Sequence, residues 1–93
     1  MVQLHLVKSK AGYENSKLLI SNNDKVLFIE EATYLYLEQP ELINQADKYF
    51  FLEEDLLLRG IIKPNSASNL ENIVNYIQMV KLVKNTKKTI TWF

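Results

Sequence analysis

The chain has 93 residues, 47% of them hydrophobic, with eleven acidic and eleven basic side chains that cancel to a formal charge of zero. That length predicts one domain over residues 1–93, and the composition excludes a disordered chain. The even charge balance excludes a strongly cationic nucleic-acid footprint, and the lack of any cysteine excludes disulfides, thiolate metal sites and a cysteine nucleophile.

Val2 to Val7 is an apolar run broken only by Gln3 and His5, and it predicts a buried first strand. The start carries neither a basic region nor a small-residue cleavage site, so it reads as a cytoplasmic protein and not a signal peptide. No run approaches the roughly 18–20 apolar residues of a membrane span. A turn is expected over Lys8 to Gly12 and a short amphipathic helix over Tyr13 to Ile20. Ser21-Asn22-Asn23-Asp24 are four successive turn formers. The continuous run Lys25 to Ile29 predicts a second strand, covered on both faces as parallel strands are.

Glu30 to Leu37 predicts a short helix or turn ended by Pro40, and Glu41 to Gln45 a further helical turn. Tyr49 to Leu52 is the third strand, and Glu53 to Leu58 a helix that Gly60 stops in a left-handed conformation. Lys63 to Asn69 is a polar loop, with Ser68 or Asn69 as a cap. Ile73, Tyr76, Ile77, Val80 and Val83 recur at helical spacing and predict a helix over residues 73–83, with a small fourth strand near Asn72 to Val74 as the alternative for its start. Thr89 to Phe93 has the β-branched and aromatic character of a last strand. Strands alternating with helices define an α/β protein with a parallel sheet.

Three segments together resemble the TusB/DsrH family of sulfur-relay proteins. They are Leu4-His5-Leu6-Val7-Lys8-Ser9, then Asp24 to Glu31, and most specifically Tyr49 to Gly60. The last is similar to a family stretch VYVLEEDLAARG, with Glu53, Glu54, Asp55, Arg59 and Gly60 at the matching places. Tyr76, Val80, Leu82, Val83 and the terminal Trp92-Phe93 extend the likeness. The resemblance implies a small flavodoxin-like three-layer domain with a mainly parallel sheet. It also implies a cytoplasmic complex with TusC/DsrF-like and TusD/DsrE-like sister subunits, which passes persulfide sulfur toward 2-thiouridine at the tRNA wobble position. In sulfur-oxidising bacteria the Dsr version serves sulfite-related chemistry. Glu31-Ala32 stands where the family has Asp-Gly, and the segment between Lys8 and Asp24 is shorter than the family's. The expected function is a non-catalytic subunit, with a homo-oligomeric binding module of the same fold as the alternative; no cofactor is expected.

The residues offer little chemistry of their own. Glu53, Glu54 and Asp55 could do acid–base work only in a pocket that separates their pKa values. Their simpler role is to complement a helix dipole, with Asp55 paired to Arg59 one turn on. His5 is the only histidine and has no ligand partners at metal spacing, so it reads as a packed or capped residue. No serine has a Gly-x-Ser-x-Gly context, and two glycines cannot build a phosphate loop. The carboxylates after strands two and three predict an acidic rim at the carboxyl end of the sheet. Lys81, Lys84, Lys87 and Lys88 read as a solvated basic face, too weak to mark direct tRNA contact.

The helix over residues 73–83 has an apolar arc wider than one core contact requires. Ile73, Tyr76, Ile77, Val80 and Val83 are expected to fill the core, leaving Met79, Leu82, Trp92 and Phe93 as the candidate interface, with Trp92 equally suited to the core. Homo-oligomers are expected when the chain is alone.

Overall fold

Three apolar runs become the centre of the sheet, because each can be covered on both faces. The computed structural model describes residues 3–64 and 71–93. In chain order the strands are β1 (Gln3–Val7), β2 (Lys25–Phe28), β3 (Tyr49–Leu52), β4 (Ile73–Val74) and β5 (Lys88–Trp92). They form one sheet in the order β4-β3-β2-β1-β5, and every neighbouring pair is parallel. The helices are α1 (Lys10–Ser16), α2 (Leu35–Glu38), α3 (Glu53–Leu58) and α4 (Tyr76–Asn85), with 3-10 turns at Glu30–Tyr34 and Pro40–Leu42. The expected α/β class with a parallel sheet is what the chain adopts.

Strand alternation sends side chains into two cores. On one face Val7, Val26, Phe28, Phe51 and Ile73 meet Tyr13 of α1, Leu35 of α2 and Leu56 of α3. Phe28 and Phe51 stack there with ring centroids 4.9 Å apart, and Tyr13 meets Phe28 edge-on. On the other face Leu4, Leu27, Phe50 and Val74 are covered by Met79 and Leu82 of α4.

Two helices start elsewhere than expected. α1 begins at Lys10, inside the predicted turn, because the Ser9 hydroxyl caps it by accepting the Gly12 N–H at 2.9 Å. A Cβ on Gly12 would stand 2.9 Å from the Trp92 carbonyl oxygen, so glycine lets α1 lie against the end of β5. The helix ends at Ser16, and Leu18 and Leu19 are exposed beyond it. At the other end, Ile73 and Val74 pair with β3 as a strand, the alternative that the sequence allowed. Asn75 then starts α4 with a capping box, its side chain accepting the Gln78 N–H while Gln78 accepts the Asn75 N–H. The predicted caps Ser68 and Asn69, and most of their loop, lie outside the described residues.

α3 and its stop match the sequence reading. Gly60 has φ +69° and follows Arg59, with its N–H bonded to the Leu57 carbonyl. Space is open around its Cα, so strain alone sets the effect of a side chain there. Gly60→Val should cost about 1–2 kcal/mol and Gly60→Asn clearly less, since asparagine tolerates this region. Urea denaturation of the two variants checks the order, and equal losses would assign the cost to something other than φ.

Candidate functional site

The loops beyond the carboxyl ends of parallel strands are where α/β sheets hold ligands. Here Lys8 to Lys10 follow β1, Glu30 and Glu31 follow β2, and Glu53 to Asp55 follow β3. The lysines after β1 sit among these carboxylates and offset part of the acidic rim. Lys8 lies 3.4 Å from Glu30, and Lys10 pairs with Glu38 at 2.6 Å, a bond that raises the Lys10 ammonium above its ordinary pKa. Lys10 and Arg59 both stand over the Tyr34 ring.

The three family-motif carboxylates do not converge on a pocket. Asp55 Oδ2 accepts the Glu30 N–H at 2.6 Å, in place of the expected pair with Arg59. Glu30 has φ +52°, a left-handed conformation that a non-glycine residue adopts at a cost, and Asp55 is what holds its amide. Glu54 Oε2 accepts the Tyr76 N–H at 3.1 Å, at the first turn of α4. Two neighbouring carboxylates after β3 therefore tie down the exit of β2 on one side and the entry of α4 on the other. Glu53 shares the first turn of α3 with them. The bonds of Asp55 and Glu54 are to backbone N–H groups and not to one another.

A polar cluster that sequence reasoning missed lies inside the protein. His5 is fully buried, with Nε2 2.9 Å from Asp24 Oδ2 and Nδ1 3.0 Å from the indole nitrogen of Trp92. An indole N–H can only donate, so Nδ1 accepts and Nε2 carries the proton toward Asp24. Both ring nitrogens are thus occupied, and neither is free for a metal ion. Asp24 also accepts the N–H groups of Gln3 and Ser21. Burial pushes the Asp24 carboxyl pKa up, but the bonds from His5, Ser21 and Gln3 outweigh it and hold the group down at about 2. The lone histidine between leucines was the visible signal. Asp24, last of four turn formers, gave none.

The candidate interface residues separate. Met79 and Leu82 pack on the core formed by Leu4, Leu27, Phe50 and Val74. Trp92 packs on the opposite core, and Phe93 is 78% exposed with Lys8 over its ring. The residues expected inside the helix's core stripe are the ones left out. Tyr76 is 59% exposed and Ile77 69%, while Val80 and Val83 are also exposed; only Ile73, in β4, is buried. A polar hollow of about 480 Å³ at the amino ends of β2 and β3, lined by Asn22, Asn23, Gln45 and Asp47 among others, has its lysines bonded to carbonyls.

These features define a small parallel α/β protein whose carboxyl-end carboxylates Glu54 and Asp55 hold backbone N–H groups. The profile of a family described as DsrH like protein matches residues 10–89, and the chain belongs to that family. It is a family of sulfur-relay subunits that work in complexes with relay partners, not of free-standing enzymes. No curated protein sequence matches the chain. No helix among the described residues is long and apolar enough to cross a membrane.

Two outcomes follow from this geometry. The stability that Asp24 contributes is complete above its unfolded pKa near 4 and is lost as pH falls through about 2, so the acid-side slope of stability should flatten in Asp24→Asn. That variant should also lose about 2 kcal/mol at neutral pH, because its amide cannot accept from all three donors. Denaturation followed by the fluorescence of Trp92, the only tryptophan, reads both; unchanged stability would mean the carboxylate is not the anchor. Asp55→Ala should cost about 1–2 kcal/mol, above the roughly 0.5 kcal/mol of an exposed helix pair. Adding Glu30→Gly should recover much of that loss, and a cost indifferent to Glu30→Gly would detach Asp55 from the β2 exit.

Proposed function

We propose that this chain is a non-catalytic subunit of a cytoplasmic persulfide relay serving 2-thiouridine formation at the tRNA wobble position. Its partners are TusC/DsrF-like and TusD/DsrE-like sister subunits, and it makes no direct contact with tRNA. The observation that carries this reading is the conjunction of family and inventory. The chain belongs to a sulfur-relay family and has no cysteine, while the thiolate is the species that accepts and passes on sulfane sulfur. The sulfur must then travel on a sister's cysteine, and this chain contributes shape and contact surface.

The buried His5–Asp24–Trp92 network and the tied rim support a rigid supporting role. They fix the ends of β1, β2 and β5 without offering a free nucleophile or base.

Co-expression with the two sisters, followed by native mass spectrometry, should return a mixed complex containing this chain. Incubating that complex with a cysteine desulfurase and labelled cysteine should place the label on a sister and none on this chain. Sulfur bound covalently to this chain would refute the scaffold reading. A wild type that ignores both sisters would favour an independent binding module of the same fold.

A further inference from the structure

Neutral overall, the chain is strongly segregated in charge. All eleven carboxylates lie within residues 1–71, against seven basic side chains, a net of −4; residues 72–93 carry four lysines and no carboxylate, a net of +4. The positive part contains α4 and β5, and α4 is also where the apolar surface is least covered. Ile77 and Lys84 are seven positions apart and so lie within about 20° of one another around the helix, with Lys81 alongside. An apolar stripe of Tyr76, Ile77, Val80 and Val83 is thus edged by ammonium groups.

The negative part offers a complement. Leu37 of α2 is 60% exposed, next to Glu38 and close in sequence to Glu41 of the following 3-10 turn. Glu31 lies in the 3-10 turn Glu30–Tyr34 that runs directly into α2, and of Glu31, Glu38 and Glu41 only Glu38 is in an ion pair among the described residues. This edge belongs to the sheet face opposite α4.

A two-fold contact through α4 would set lysines against lysines, and one through the α2 edge would set carboxylates against carboxylates. The combination that brings unlike charges and exposed apolar side chains together is heterologous. We propose that copies of this chain associate head to tail, with the α4 face of one seated on the acidic α2 edge of the next. This contact does not depend on the relay reading, because it needs no partner other than a second copy.

Sedimentation of the isolated chain at micromolar concentration tests it. The wild type should be associated at low salt and should dissociate at about 0.5 M salt, where exposed charges are screened. Lys81→Glu with Lys84→Glu, and separately Glu31→Lys with Glu41→Lys, should each weaken association at least tenfold while the far-UV spectrum stays native. Ile77→Gln should do so without a change of charge. Mixing the two charge variants should restore association, because the reversed α4 of one faces the reversed edge of the other, and the unaltered α4 of the second faces the unaltered edge of the first. A wild type that is monomeric at low salt, an association strengthened by salt, or a mixture that stays monomeric would each overturn the proposal.

Discussion

The buried carboxylate of Asp24 is the constraint around which this small fold is arranged. Asp24 is nearly buried at the wall of the polar hollow, and a carboxylate so placed is tolerated when donors replace the water it has lost. Here the donors come from Gln3 at the start of β1, from Ser21 in the preceding turn and from His5 in the middle of β1. His5 passes the constraint on, since its remaining nitrogen accepts the Trp92 indole N–H. β1 is the one strand that pairs with β5, so this network and the β1–β5 ladder act on the same juncture. The His5–Trp92 bond joins residues 87 positions apart, alongside the ladder. On the same side of the sheet, Gly12 lets α1 approach the carbonyl of Trp92, so the last strand is held by a ring, a ladder and a helix together.

The carboxyl-end rim shows the same economy with opposite exposure. Carboxylates that could have been reagents are spent as acceptors for backbone N–H groups. Asp55 stabilises a left-handed Glu30, and Glu54 supplies an acceptor to the first turn of α4, adding to the capping box at Asn75. A helix whose entry is satisfied from a neighbouring strand's exit cannot shift without disturbing that exit. The result is a rim in which the exit of β2 and the entry of α4 are each fixed by a carboxylate of α3.

The sheet was legible in the sequence because its strands are parallel and covered on both faces, which makes Lys25 to Ile29 and Tyr49 to Leu52 read as unbroken apolar runs. α3 was legible too, from its acidic first turn and Gly60 after it. The start of α1 was not, because Ser9 and Gly12 look like turn residues until the hydroxyl is seen capping the helix. The face of α4 was misassigned for a more general reason. Apolar residues occupy more than half of its circumference, so periodicity locates the helix but cannot say which part of the arc meets the sheet. Taking Ile73 as helical shifted the inferred stripe toward Tyr76 and Ile77, whereas the strand at Ile73–Val74 and the cap at Asn75 turn Met79 and Leu82 inward. The roles of Glu54 and Asp55, and part of that of Asp24, depend on backbone amides 21 to 25 residues away, which no local pattern encodes.

The two faces of the sheet are unequally covered, and that inequality connects stability with association. One face carries three helices and an aromatic core, with Phe28 and Phe51 fully buried. Among the described residues the other has α4 alone, a ten-residue helix about 15 Å long laid on a five-stranded sheet whose strands are spaced about 4.8 Å apart. A single helix is too narrow to cover such a face, and Leu6 and Ile29 beside it remain only partly buried. The stripe it turns outward is apolar where a fully solvated helix would be polar. In a chain this short the stability margin is thin, so covering the second face by association adds burial where the fold is weakest. The lysines along that stripe then serve to choose the partner, admitting an acidic edge and repelling a copy of the same helix.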